Sequence, residues 1–250
     1  MTNQELLHIA MRQSAVDLGC RPEDFCAGIP VVVPSRPSGK ARRYLTLPFF
    51  FQLVTYGGNA VASVDPCMTA FAEKYLQRHR PEHCFEPPAL HELTAEAARY
   101  GKTLRYMAEY FLPDIGRLRP LPCPYEMRIL HPGDFEPLYI PQWSNALCEK
   151  RRHLDVLGVG AYDGQVLIGL AGCSADCDDM WQIGIDVLPQ YRRQGVASAL
   201  TSRLAAEILA RGKVPFYCAA WSNIPSVRNA IASGFLPAWA ELTAGDAPSC

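Results

Sequence analysis

A proline-rich stretch near the middle of the chain constrains the fold most strongly. Residues 112–124 include Pro113, Pro120, Pro122 and Pro124. Proline fixes φ and lacks the backbone N–H, so neither a helix nor a central strand can run through this stretch. We therefore predict two domains, residues 1–112 and 125–250, joined by a proline-rich linker at 113–124. With 250 residues, of which 49% are hydrophobic, the chain can form its core without a metal or a disulfide.

The N-terminal part is predicted to be a smaller α+β domain. Residues 3–18 have the pattern of a helix that ends at Gly19, and residues 45–64 that of a hairpin around Gly57 and Gly58. Asp65 and Pro66 are typical of a helix start. The other predicted elements are an extended segment at 29–34 and helices at 65–79, 88–100 and 103–111.

Charge and cysteine usage narrow the class of function. The 24 basic and 25 acidic residues give a net charge of −1, so no overall field attracts nucleic acid or an anionic membrane. Residues 44–64 carry no charge, but Pro48, Gln52 and Asn59 favour the hairpin over a membrane span. None of the ten cysteines, Cys250 included, forms a CxxC pair, and the N-terminus does not have the pattern of a signal peptide. We expect a cytoplasmic protein with free thiols and no bound metal.

From residue 125 the pattern changes to alternating strands and helices. Asp163 and Gly164 separate two apolar runs, which predicts a tight hairpin. Val196, Leu200 and Leu204 recur at helical spacing. The predicted strands are 125–130, 155–162, 165–173, 180–188, 214–221 and 235–242, and the predicted helices are 133–139, 194–211 and 224–233. This order predicts an α/β (α+β) fold.

The segment from Asp186 to Leu200 carries the strongest functional signal. A strand ends at Pro189, a short basic turn follows, and a helix begins near Gly195 and Ala197. The free N–H groups and the dipole of such a helix start attract a phosphate or pyrophosphate. The alternative is an ordinary strand-to-helix turn with solvated arginines. No dinucleotide or P-loop pattern is present.

These residues resemble those of a known family. The run from Arg192 to Ala197 matches the [Q/R]-x-x-G-x-[G/A] signature of the GNAT superfamily of acyl-CoA N-acyltransferases, and Val187-Leu-Pro189 matches its lead-in. Downstream, Asn223 opens a helix that ends in Gly234-Phe235, which resembles the second motif of the family. The resemblance covers residues 125–242, and the layout as a whole looks like bacterial members with an extra N-terminal domain.

The resemblance implies a mixed sheet, flanked by helices and splayed between the strands at 180–188 and 214–221. The pantetheine arm of acetyl-CoA would lie in the splay, and the pyrophosphate would rest on the helix start. The residues implied in cofactor binding are Ile185, Val187, Arg192, Arg193, Gln194, Gly195, Val196, Ala197, Ser198, Asn223 and Ser226.

The sequence departs from the family pattern at both positions that usually move protons. Ala230 stands where many members have a tyrosine acid, and Trp181 and Gln182 stand where a carboxylate base is common. Asp186 is a candidate base on the same strand, although a carboxylate there can also be purely structural. We expect an N-acetyltransferase that acts by direct attack of a primary amine.

The rest of the function is less constrained by the sequence. A non-catalytic CoA-binding module is the alternative, and the N-terminal part could instead serve interaction, for instance in a homodimer. The acceptor is expected to meet residues 136–153.

Overall fold

The computed structural model describes residues 1–247; Cys250 and the two residues before it lie outside this range. The chain forms two compact units. Of the described residues, unit 1 comprises Met1–Leu6 and Phe111–Pro237, and unit 2 comprises Leu7–Tyr110 and 238–247. These units do not follow the predicted boundaries. The proline-rich stretch lies inside unit 1. Residues 238–247 belong to unit 2, because residues 240–244 pair with residues 51–55, which are far away in sequence.

Unit 1 contains most of the predicted C-terminal elements. Its strands are neighbours in the order β9-β8-β7-β6-β5. The β5–β6, β6–β7 and β7–β8 pairs are antiparallel and the β8–β9 pair is parallel, so the sheet is mixed. The elements are β5 (Glu126–Leu130), β6 (Asp155–Asp163), β7 (Val166–Ser174), β8 (Met180–Val187), α4 (Val196–Ala210), β9 (Val214–Ala220) and α5 (Ile224–Ala232).

The two parallel strands of unit 1 separate part of the way along their length. Their ladder runs from Met180 opposite Val214 to Ile183 opposite Tyr217, the last registered pair among the described residues. Strand β8 continues to Val187 and β9 to Ala220. Beyond Ile183, the edge of β8 therefore has backbone groups that β9 does not use. This is the splay that the resemblance implied.

Helix α4 covers one face of this sheet. Its buried residues Val196, Leu200, Leu204 and Ile208 follow the predicted helical spacing and share a core with Ile183 and Tyr217. Burying several aliphatic side chains of this size stabilises the unit by roughly 1.5–3 kcal/mol each. The start of α4 is thereby fixed against the strand that precedes it.

The predicted short helix at 133–139 is wrong. The structure has two 3-10 turns there, Pro132–Asp134 and Glu136–Leu138. Pro132 and Pro137 prevent a longer hydrogen-bonded run.

Unit 2 contains the strands β1, β3, β2 and β10, which are neighbours in that order. Its hydrophobic core includes Phe51, Leu53, Tyr75 and Leu242. The elements that lie in it wholly or in part are α1 (Asn3–Leu18), β1 (Val31–Pro34), β2 (Phe51–Thr55), β3 (Ala60–Val64), α2 (Thr69–Arg78), α3 (Pro87–Ala98), β4 (Lys102–Pro113) and β10 (Phe235–Asp246).

The predicted helix at 103–111 is wrong, because these residues belong to the strand β4. Its aromatic residues Tyr106, Tyr110 and Phe111 favour a strand, and the neighbouring strands of the sheet decide between the two structures. The predicted last strand also continues beyond Leu242 to Asp246, and Ala240–Ala244 pair antiparallel with β2. Among residues 1–247, no helix is long and apolar enough to cross a membrane.

Candidate active site

The loop between β8 and α4 has a backbone suited to an anion. Arg193 has φ 62°, although it is not a glycine, and Gly195 has φ 79°. A side-chain-bearing residue in the left-handed region costs energy and is held there only by its surroundings. Left-handed residues turn successive N–H groups to one side and so form an anion-binding concavity. The N–H groups of Val196, Ala197 and Ser198 add to it, because the first turn of a helix leaves them without helical partners.

Two tyrosine side chains, Tyr125 outside this loop and Tyr191 within it, connect the loop to other parts of unit 1. The Tyr125 hydroxyl donates to Oε1 of Gln194 over 2.8 Å, and the Tyr191 hydroxyl donates to Oδ2 of Asp163 over 2.9 Å. The two tyrosine rings meet edge to face, with centroids 5.4 Å apart. The bond to Asp163 also raises the pKa of Tyr191. Sequence patterns gave no sign of these contacts, since Tyr125 and Gln194 lie 69 positions apart.

The two arginines of the loop differ in what they contact. Nε of Arg192 donates to the Val187 carbonyl over 3.0 Å, so this side chain ties the loop to the end of β8. Arg193 and Gly195 are exposed. A Cβ built on Gly195 would meet nothing within 4 Å, so the glycine is needed for its backbone angle rather than for space.

Ser198, Asn223 and Ser226 lie where α4 and α5 begin. The Ser198 hydroxyl donates to Oδ1 of Asn229 over 3.1 Å, which leaves only its backbone N–H for the loop concavity. Asn223 caps α5, because its Oδ1 accepts from the Ser226 N–H over 3.2 Å. The Ser226 hydroxyl lies 2.7 Å from the Tyr217 hydroxyl. Tyr217 was not among the residues predicted to bind the cofactor or to act in catalysis.

Asp186 is fully engaged with a neighbouring segment. Its Oδ2 accepts from the N–H groups of Asn145 and Ala146, over 2.9 and 3.0 Å, and its Oδ1 accepts from Nδ2 of Asn145 over 2.7 Å. A Cβ at Gly184 would overlap the Asn145 carbonyl, so residues 143–147 lie directly on the strand. This geometry matches the structural role that the sequence left open for Asp186.

Two of the three positions that depart from the family pattern, Gln182 and Ala230, have defined surroundings. Gln182 donates from Nε2 to Sγ of Cys218 over 3.0 Å, close to the point where β8 and β9 separate. Ala230 is 0% exposed and belongs to the core under the sheet. The alanine is therefore a packing residue.

Comparison with known proteins agrees with this architecture. Residues 119–236, which all lie in unit 1, match the family model described as GNAT acetyltransferase. A search of curated proteins gave no match.

Several solved structures are similar to the chain at low identity. One is a putative GNAT-family acetyltransferase of Novosphingobium aromaticivorans, with 19% identity, a TM-score of 0.44, and coverage of 59% of this chain and 68% of that one. A GCN5-related N-acetyltransferase-like protein of Streptococcus suis has 22% identity, a TM-score of 0.45, and coverage of 61% and 67%. An aminoglycoside N-acetyltransferase in complex with CoA has 20% identity, a TM-score of 0.34, and coverage of 45% and 92%.

The mixed, splayed sheet and the loop at the start of α4 have the arrangement that the resemblance to this family implied. Residues 119–236, a little under half of the chain, are thus similar to the GNAT acetyltransferase family.

Proposed function

We propose that this protein is an N-acetyltransferase that transfers the acetyl group of acetyl-CoA to a primary amine by direct attack. The separation of β8 from β9, which opens towards the left-handed loop at Arg193 and Gly195, supports this function above all. The loop and the start of α4 would hold the pyrophosphate of the cofactor, and the free edge of β8 at Ile185 and Val187 would pair with the amides of pantetheine.

Strand β8 would orient both substrates, acetyl-CoA and the acceptor amine. Backbone donors on β8 would polarise the thioester carbonyl, and holding both reactants in one cleft would supply much of the rate. Ile183, Ile185 and Val187 pack against the core that includes α4, so Gln182, Gly184 and Asp186 alternate onto the other face. We assign the acceptor amine to that other face, beside residues 143–147.

Calorimetry with acetyl-CoA tests the cofactor site. Gly195→Glu puts a negative charge into the loop concavity, and we expect it to weaken acetyl-CoA binding about 10- to 100-fold through lost charge-assisted hydrogen bonds. Gly212→Glu is the matched control. Gly212 follows the other end of α4, has φ 72°, and its Cβ would also meet nothing within 4 Å. Equal affinity in the two variants would contradict the pyrophosphate assignment.

A thiol-release assay with acetyl-CoA tests the reaction. Polyamines, aminoglycosides, amino acids and peptide N-termini form the acceptor panel, and we expect turnover with at least one class. Binding of acetyl-CoA without turnover across the panel would instead support a non-catalytic CoA-binding module.

A further inference from the structure

Two hydroxyl groups meet where β8 and β9 separate. Tyr217 is the last residue of β9 that pairs with β8, and its hydroxyl lies 2.7 Å from Oγ of Ser226. The Ser226 N–H donates to the capping Asn223, which fixes this residue in the first turn of α5. Tyr217 is 3% exposed, whereas Ser226 is half-buried. The pair therefore has one buried member and one that the cleft can reach.

The Tyr217–Ser226 pair lies on the same side of the sheet as Ala230, which stands where many family members have a tyrosine acid. Tyr217, Ile183 and Ala230 belong to the same core on the α4 side of the sheet. Ala230 is fully buried and has no proton to give. A departing thiolate on this side of the splay has the Tyr217–Ser226 pair as a nearby source of hydroxyl protons.

The length of β8 would place the thiol end of a bound pantetheine arm beside Tyr217. Ile183 and Val187 are four residues apart on β8, a distance of about 13 Å along an extended strand. The pantetheine arm is an extended, amide-containing chain of about that length by the same measure. With its pyrophosphate at the loop after Val187, the thiol end would lie near Ile183 and Tyr217.

We infer that Ser226 gives its hydroxyl proton to the leaving CoA sulfur and recovers a proton from Tyr217. This inference rests on the proposed function. The amine nitrogen forms the new C–N bond, the C–S bond breaks, and its electron pair stays on sulfur. The proton of Ser226 Oγ moves to sulfur, and the proton of the Tyr217 hydroxyl moves to Ser226 Oγ. The surplus proton of the amine leaves to solvent. The hydroxyl proton of Ser226 then returns to the buried Tyr217 oxygen, and solvent protonates Ser226 Oγ.

The surroundings of Tyr217 suit a group that holds its proton until the sulfur needs it. Burial raises the pKa of Tyr217, and hydrogen bonds with Ser226 and Asn229 lower it by less. The titratable groups that act on it are Cys218, next to it on β9, and Asp186 on β8, and both raise the pKa further. Tyr217 is therefore protonated at neutral pH and can act as a donor.

The proton transfer from Tyr217 through Ser226 to sulfur is called the relay here. The pKa of the thiol of bound CoA tests it, and this measurement needs no acceptor amine. The probe is CoA itself, saturating on the full-length protein, and the ultraviolet absorbance of the thiolate is followed as pH rises. A hydroxyl that donates to the sulfur stabilises the thiolate, so Ser226→Ala should raise the pKa of the bound thiol by about 1 unit. Tyr217→Phe should raise it by less, because Ser226 still donates.

Two further variants serve as controls. Ser226→Thr keeps the hydroxyl and should keep the wild-type thiol pKa. Tyr75→Phe removes a buried hydroxyl of unit 2, which donates to the Cys84 carbonyl over 2.6 Å, and should also leave it unchanged.

The possible outcomes separate the relay from the proposed function. An unchanged thiol pKa in Ser226→Ala, with CoA still bound, would overturn the relay and leave the acetyltransferase proposal intact. Failure of the wild-type protein to bind CoA would overturn both. If Tyr217→Phe does not fold, the Ser226→Ala and Ser226→Thr pair decides alone.

Discussion

The carboxylate of Asp186 could act either as a general base or as a structural hydrogen-bond acceptor. It accepts three hydrogen bonds from Asn145 and Ala146, and Gly184 leaves room for their backbone to lie on β8. A carboxylate has about four acceptor positions, so most of its capacity is used to hold residues 143–147. Its place on β8 could be predicted from the sequence. Its partners could not, because they lie some 40 positions away.

Replacing Asp186 by Asn should disturb acceptor binding rather than proton transfer. The amide of Asn would face donors from Asn145 and Ala146, which costs about 1–3 kcal/mol in that contact. We expect a higher KM for the acceptor amine, an unchanged acetyl-CoA Kd, and a pH profile of kcat with the wild-type shape.

Asn145→Ala provides the matched comparison for Asp186→Asn. It removes the Nδ2 donor from the same contact but leaves the carboxylate in place. If Asp186 only positions the segment, both variants raise KM. Loss of one limb of the pH profile in Asp186→Asn alone would identify Asp186 as the general base.

At the scale of elements, unit 2 contains a buried ionic cluster that links a helix, a loop and a strand. The guanidinium of Arg42 pairs with Asp17 on α1 and, over 2.5 Å, with Glu241 on β10. Trp239 and Gln52 donate to the Glu241 carboxylate over 2.7 and 3.1 Å. The side chains of Arg42, Asp17 and Glu241 are at most 2% exposed.

Arg42→Met should destabilise unit 2 strongly. It leaves two buried carboxylates without their shared cation, which typically costs about 3–5 kcal/mol. Urea unfolding followed by circular dichroism would show a lower midpoint for this unit. Arg36→Met, at an exposed position of the same segment between β1 and β2, should change the midpoint little. Equal midpoints for the two variants would show that the cluster contributes little net stability.

The elements also show where sequence patterns suffice. The positions of α1, α4, α5 and the β6–β7 hairpin are encoded locally by helical spacing, capping residues and the Asp163-Gly164 turn, and these predictions are confirmed. Strand β4 was predicted as a helix because its residues satisfy both patterns, and only the neighbouring strands settle the choice. The hydroxyl contacts of Tyr125 and Tyr217 join separate elements, so no local pattern contains them.

At the scale of the whole molecule, strand pairing places most of β10 in unit 2. Residues 240–244 of β10 pair with β2, and Leu242 lies in the core of unit 2. Proline content predicted a division near residue 113, but strand pairing across about 190 positions is invisible to composition. Unit 2 is therefore built from two separate parts of the chain.

A chain that ends at Pro237 should consequently lose the stability of unit 2. Its β2 would gain an unpaired edge, and Arg42 would lose Glu241 and keep only Asp17 as its carboxylate partner. We expect limited proteolysis to cleave residues 7–110 of this shortened chain much faster than those of the full chain. A chain that ends at Asp246 keeps the whole of β10 and should resist like the full one. Equal resistance of residues 7–110 in the chain that ends at Pro237 would mean that the N-terminal segment folds without β10, as the proline-based division had predicted.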